Sequence, residues 1–216
     1  ALIRHAAELG AEPWVVATAD APWLDRLVEE TPEIGAVQLH GKESPAAVAS
    51  FAKRHPLVPV IKAMGVMSRR DLEDVEAFEA ADAFLFDAKP PKGASREGGH
   101  GRSFDWSILK GFRVQDHEDW TLSGGLTPEN VAEAIRRSGA AAVDVSSGVE
   151  ASPGKKDHAK VKAFIDAAKA AGAKDAMKGT TKEAATKEAA PKAKKAAKKP
   201  AAKKAAKKPA AKKAAK

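Results

Sequence analysis

The chain has 216 residues, 44% of them hydrophobic, which is length and apolar content enough for one sizeable domain with its own core. Cysteine is absent, which excludes disulfides, cysteine zinc sites and a thiol nucleophile within residues 1–216. The net charge of +8 divides sharply: residues 173–216 hold 16 Lys against 3 acids, whereas residues 1–172 carry 21 Lys and Arg against 26 acids.

A basic tail is therefore attached to a mildly acidic domain. No apolar run reaches the roughly 18 to 20 residues of a membrane-spanning helix, and ALIRHAAELG lacks the charged-then-apolar pattern of a leader. The expectation is a cytoplasmic protein with no membrane partner.

The chain opens in a helical pattern, with Leu2, Ile3, Ala6 and Leu9 on one side. Six short β-branched or apolar runs follow, at 14–18, 36–40, 58–63, 83–87, 120–123 and 142–146, alternating with helical patterns. That alternation predicts βαβ units and a parallel sheet. The runs are nearly unbroken rather than alternating, as expected for strands covered on both faces. Asp20 opens a helix predicted to bury Trp23, Leu24, Leu27 and Val28. Ser44-Pro45 and Thr127-Pro128 each place a capping hydroxyl before a proline suited to the first helical position. Ser68 and Asp71 read as a capping box ahead of Leu72, Val75 and Phe78. A helix at 157–171 closes the folded part.

Beyond Gly172 the composition changes. Residues 181–185 and 186–190 repeat TKEAA, and 198–206 and 207–215 repeat KKPAAKKAA. Met177 is the one large apolar residue there, too little to offset the ordering entropy, so 173–216 is predicted to be a disordered tail.

In parallel α/β folds the carboxyl ends of strands meet the ligand. Gln38-Leu39-His40-Gly41, Lys62, Asp87-Ala88-Lys89, Ser123-Gly124-Gly125 and Asp144-Val145-Ser146-Ser147-Gly148 occupy such ends. The last two turns, rich in small residues, are either a phosphate cradle of backbone N–H groups or a pair of ordinary tight turns. Asp87 ends the run Ala83-Phe84-Leu85-Phe86 and would sit at an apolar barrel mouth, where a carboxyl group can serve as a general acid; the alternative is a strand-end aspartate capping a turn. Asp144 reads equally as a ligand contact or a structural carboxylate, and His40 as a packing residue or an acid–base group. The polar, glycine-rich stretch from Pro90 to Gly101 has the length of a functional lid or binding loop, and lacks the strand-to-helix context of a nucleotide-binding fingerprint.

Five motifs together closely resemble phosphoribosylanthranilate isomerase: Gln38-Leu39-His40-Gly41; Phe86-Asp87-Ala88-Lys89; Gly98-Gly99-His100-Gly101 through Phe104-Asp105-Trp106; Leu122-Ser123-Gly124-Gly125-Leu126-Thr127-Pro128-Glu129-Asn130-Val131; and Val143-Asp144-Val145-Ser146-Ser147-Gly148-Val149-Glu150 with Ser152-Pro153-Gly154-Lys155-Lys156-Asp157. The resemblance covers residues 1–172, and the extended loop after Asp87 is similar to the alphaproteobacterial branch. Related phosphate-binding barrels of histidine and tryptophan biosynthesis share the glycine turns but not the first and last of these motifs.

The resemblance implies an α/β fold of (β/α)8 TIM-barrel type with six of the eight strands in residues 1–172. It implies an Amadori rearrangement on a phosphorylated small molecule in tryptophan biosynthesis, with no metal and no cofactor. By the same resemblance Asp87 is the general acid; Gln38, His40 and Asp144 contact substrate; and Gly124, Gly125, Ser146, Ser147 and Gly148 hold its phosphate. The family's base is a cysteine on the first strand and a substrate-contacting arginine follows the second strand; both would precede Ala1. Without that base, turnover is expected to drop by about 10²–10⁴-fold. The other reading is an impaired barrel whose tail, similar to those of linker-histone-like bacterial proteins, binds nucleic acid through salt-dependent phosphate contacts. The tail can equally be a solvated extension. Oligomeric state is not legible.

Overall fold

The computed structural model describes residues 1–89, 103–114 and 120–172. The lid or binding loop expected at 90–101, the motif around Gly98-Gly99-His100-Gly101 and the tail at 173–216 lie outside the described residues.

All six expected strands form. They are β1 (Trp14–Ala17), β2 (Ala36–Leu39), β3 (Val60–Val66), β4 (Ala83–Ala88), β5 (Thr121–Leu122) and β6 (Ala142–Val143), parallel and paired in sequence order. Single backbone bonds carry the ladder past the strand ends to the polar residues beyond: His40 N–H donates to Ala17 O, Ser123 N–H to Phe86 O and Asp144 N–H to Leu122 O. The residues that matter chemically are thus extensions of rigid strands rather than loop tips. Among the described residues β1 and β6 each have one strand neighbour.

The period of two along each strand sorts the side chains into two layers. Ala36, Ile61, Ala63 and Leu85, with Trp14 and Ala83, pack on one face. Val15, Val37, Leu39, Val60, Phe84, Phe86 and Leu122 belong to the larger cluster on the other, shared with helix residues such as Val28, Val48, Phe51, Ile135 and Phe164. Three of the six on the first face are alanines, set among Trp14, Ile61 and Leu85.

The helices are α1 (Leu2–Glu8), α2 (Leu24–Glu30), α3 (Pro45–Arg54), α4 (Val131–Ser138) and α5 (His158–Ala170). Ser44 caps α3 as expected, its Oγ accepting from Ala47 N–H at 3.2 Å, and Asp157 caps α5 through Ala159 and Lys160. The Ser68–Asp71 capping box is present, but it opens a short 3₁₀ turn (Arg69–Leu72), and a second follows at Val75–Ala77. Leu72, Val75 and Phe78 are still buried.

The opening helical pattern forms α1, with Leu2 and Leu9 86% and 74% exposed and no buried residue. Two sequence readings are corrected, those of Asp20 and Thr127. Asp20 does not open α2: the helix begins at Leu24, which leaves Trp23 at its cap and half exposed while Leu24 and Val28 are buried. Thr127 Oγ1 does accept from Glu129 N–H at 3.3 Å, but it opens a turn at 127–130 rather than α4, which begins at Val131. The Thr127 N–H donates to Asn130 Oδ1 at 2.8 Å, and Asn130 Nδ2 donates to Gly125 O at 3.0 Å, so 127–130 is a turn that pins the preceding glycines. A small antiparallel pair, β7 (Glu150–Ser152) and β8 (Lys155–Lys156), and a 3₁₀ turn at Trp106–Leu109 were not anticipated.

Candidate active site

The carboxyl ends of the strands enclose a cavity of about 630 Å³, within the size range of small-molecule sites. Its walls include Gln38 and His40 from the end of β2, Asp87 from β4, Ser123, Gly124 and Gly125 after β5, and Asp144, Ser146, Ser147 and Gly148 after β6. Every site residue inferred from sequence therefore faces one space. Lys62 does not: its position on β3 has the opposite parity from Ile61 and Ala63, so it points to the outer layer, where it lies 5.9 Å from the Phe78 ring.

On one side of the cavity Gln38 Nε2 lies 2.7 Å from His40 Nδ1, and His40 Nε2 lies 3.4 Å from Asp87 Oδ2. Asp87 Oδ1 accepts from the Ala88 N–H at 2.7 Å. On the floor, Ser123 Oγ donates to Asp144 Oδ2 at 2.9 Å. Asp144 opens onto the cavity and water reaches it there, yet protein crowds its carboxylate on the remaining sides. That crowding pushes its pKa up against the Ser123 hydrogen bond, and the charge of Asp87 raises it further. A bound ligand that displaces the cavity water strengthens this effect.

The opposite wall is built of backbone. Gly124 has φ +93° and Gly125 φ +65°, the left-handed region that glycine enters without steric cost. A Cβ on Gly124 would strike the Ala88 N and come 2.8 Å from Asp87 Oδ1. One on Gly148 would overlap the Leu126 carbonyl. The two turns pack on each other and on Asp87, so Gly124 and Gly148 are required by close approach. Ser147–Val149 forms a single 3₁₀ turn whose start faces the cavity. Lys156 Nζ, on β8, donates to Ser146 O at 2.8 Å and pairs with Glu150 at 3.1 Å, fixing this turn from behind.

A buried ion pair, which no sequence signal announced, supports the rim on the β1–β2 side. Lys62 Nζ lies 2.8 Å from Glu43 Oε2, both side chains being almost fully buried. Glu43 Oε1 accepts from Ala19 N–H and Gly41 N–H, and Lys62 donates to the carbonyls of Leu39, Gly41 and Ala63. The pair thereby ties together the ends of β1, β2 and β3, including Thr18, which lines the cavity. Thr18 was findable by the strand-end rule; Glu43, in an ordinary polar loop, was not. No group of three or more His, Asp or Glu residues among the described residues could hold a metal ion.

A cavity combining an acid, a second carboxylate and two close-packed glycine turns agrees with what known proteins show. The family model for N-(5'-phosphoribosyl)anthranilate isomerase matches residues 19–167. The isomerase of Cereibacter sphaeroides is 51% identical over 158 residues, 72% of this chain and 73% of that one. That of Rhodospirillum rubrum is 54% identical over 134 residues, 62% of this chain and 60% of that one. Among solved structures, the phosphoribosylanthranilate isomerase of Thermotoga maritima superposes with a TM-score of 0.64 at 40% identity, covering 78% of each chain. A phosphoribosylanthranilate isomerase solved with reduced 1-(o-carboxyphenylamino)-1-deoxyribulose 5-phosphate gives 0.61 at 37% identity, covering 78% of this chain and 77% of that one. The six parallel strands are thus those of a TIM-barrel-type fold, and the chain belongs to the N-(5'-phosphoribosyl)anthranilate isomerase family of tryptophan biosynthesis.

Proposed function

We propose that this cavity binds N-(5-phosphoribosyl)anthranilate and that Asp87 is the general acid of its Amadori rearrangement to 1-(2-carboxyphenylamino)-1-deoxyribulose 5-phosphate. The observation that carries the assignment is the placement of the Asp87 carboxyl on the cavity wall, in contact with the glycine turn at 124–125. The phosphoribosylanthranilate isomerase solved in complex with the reduced product supports the ligand class.

In the first step Asp87 gives its proton to the furanose ring oxygen as the bond from C1 to that oxygen breaks. The anthranilate nitrogen supplies the electron pair and becomes an iminium. Loss of the C2 proton to a base then gives an enolamine, which tautomerises to the ketone. The family resemblance assigns that base to a cysteine, and residues 1–216 contain none. The 5'-phosphate would lie against Gly124, Gly125, Ser146, Ser147 and Gly148, whose backbone can approach an anion closely. Gln38, His40 and Asp144 would face the ribose hydroxyls and the amine.

The test separates binding from turnover. Calorimetric titration with the reduced product, which needs no proton abstraction, is expected to give saturable binding that Gly148→Ala abolishes. With phosphoribosylanthranilate, Asp87→Asn is expected to lose at least 10²-fold of whatever turnover the chain has. Absence of binding by the unaltered chain refutes the assignment.

The charge of residues 173–216 supports a second role, retention of nucleic acid through phosphate contacts. Retention on DNA should fall with salt and vanish when 173–216 is deleted; retention unchanged by the deletion refutes it.

A further inference from the structure

We propose that Gln38 and His40 form a positioning relay for the Asp87 carboxyl: the Gln38 amide holds His40 as its Nε2–H tautomer, and that N–H donates to Asp87 Oδ2. The proposal rests on the reading of Asp87 as the acid.

Gln38 and His40 are two residues apart at the end of β2, so both side chains leave the same face of the sheet. Gln38 is buried, and a buried amide requires partners. Its Nε2 lies 2.7 Å from His40 Nδ1. An amide nitrogen only donates, so Nδ1 is the acceptor and the ring proton sits on Nε2. That nitrogen faces Asp87 Oδ2 at 3.4 Å, a length typical of unliganded sites, where such contacts shorten once ligand excludes water. The other oxygen is held by the Ala88 N–H at 2.7 Å, and the Gly124 backbone closes the remaining side. The carboxyl is therefore held from three directions, with the relay supplying the only side-chain donor among the described residues.

The chemistry explains why a neutral imidazole suits this place. When the Asp87 O–H bond breaks, its electron pair stays on the carboxylate and the proton bonds to the ring oxygen. A neutral Nε2–H stabilises that new charge without itself competing as the acid, and the occupied Nδ1 prevents the opposite tautomer. Asp144 is the other titratable group lining this cavity.

The experiment uses the full chain with ¹⁵N-labelled histidine at about pH 8, with His40 assigned by its loss in His40→Gln. Two-bond ¹⁵N–¹H spectra are expected to show His40 as the Nε2–H tautomer. Gln38→Leu should mix in the Nδ1–H form, and Asp87→Asn should shift the Nε2 resonance. A ring in the Nδ1–H form in the unaltered chain, or an Nε2 that ignores Asp87→Asn, overturns the relay. These spectra need no turnover, so they decide the relay even if the proposed reaction fails. In the kinetic arm Gln38→Leu and His40→Leu should each lower kcat on the order of 10- to 100-fold, as for a misplaced reacting group, with KM changed less than about threefold. His40→Gln, whose amide can reach the Nε2 position, should retain more of kcat than His40→Leu. A loss confined to KM would leave both residues with substrate contact alone and refute the relay.

Discussion

Replacing Lys62 by Met tests whether the buried Glu43–Lys62 pair holds the cavity rim. The ammonium lies within 3.2 Å of four oxygens: Leu39 O, Gly41 O, Ala63 O and Glu43 Oε2. Methionine keeps the apolar stem but leaves the Glu43 carboxylate buried opposite no cation. Breaking a buried pair from one side costs about 3–5 kcal/mol. Glu43 keeps the N–H donors of Ala19 and Gly41, so the lower part of that range, about 3 kcal/mol, is expected. For a chain of this size that loss corresponds to a fall of roughly 6–12 °C in melting temperature. Thermal and urea unfolding followed by circular dichroism measure it. The double variant Glu43→Gln with Lys62→Met, which leaves no charge uncompensated, should recover part of the loss because the Gln carbonyl still accepts from the same backbone. A loss below about 1 kcal/mol for Lys62→Met, or a double variant worse than both singles, would refute the role given to the pair.

Three further outcomes follow from the same geometry. Gly124→Ala should displace the Asp87–Ala88 segment and cost turnover more than stability relative to Gly139→Ala, an equally left-handed glycine with open space around its Cβ position; equal effects in paired activity and melting assays would contradict the close-packing argument. Asp144 has a raised pKa, so its ionisation opposes folding as pH climbs through that value. Asp144→Asn should therefore stabilise the free protein at pH 8, with the gain shrinking in acid below the usual carboxylate range, while weakening binding of the reduced product. Asp71 shows the opposite sign. Burial raises its pKa, but hydrogen bonds from Lys89, Met67 and Ser68 outweigh that and hold it at about 2. Its contribution, about 2 kcal/mol at neutral pH, should be present above pH 4 and be lost as pH falls toward 2, read as a converging stability difference between the chain and Asp71→Asn.

Legibility from sequence followed the range of the forces involved. The strands were readable because an apolar run flanked by turn residues encodes its own burial, and Ser44 was readable as a cap because a cap acts over three residues. The capping hydroxyl of Thr127 looked the same and does accept from Glu129 N–H, yet Asn130 takes the Thr127 N–H and reaches the Gly125 carbonyl, so 127–130 is a turn ahead of the helix, which local pattern cannot arbitrate. Trp23 failed for a related reason. An apolar stripe states that a face is suited to burial, not that another element lies against it.

Residue identity at strand ends was enough to nominate Gln38, His40, Asp87, Asp144 and the two glycine turns, because a parallel sheet delivers strand ends to one rim whatever the loops do. Tertiary structure alone decided what those residues do to one another. The side-chain parity that turned Lys62 away from the cavity and onto Glu43 depends on register between strands, and so does the meeting of His40 with Asp87 across β2 and β4. The overlap a side chain at Gly148 would make with Leu126 joins residues 22 positions apart in the chain. Contacts of this kind are set by packing between elements that share no local sequence, which is why the sequence determined the inventory of the site and the fold determined its wiring.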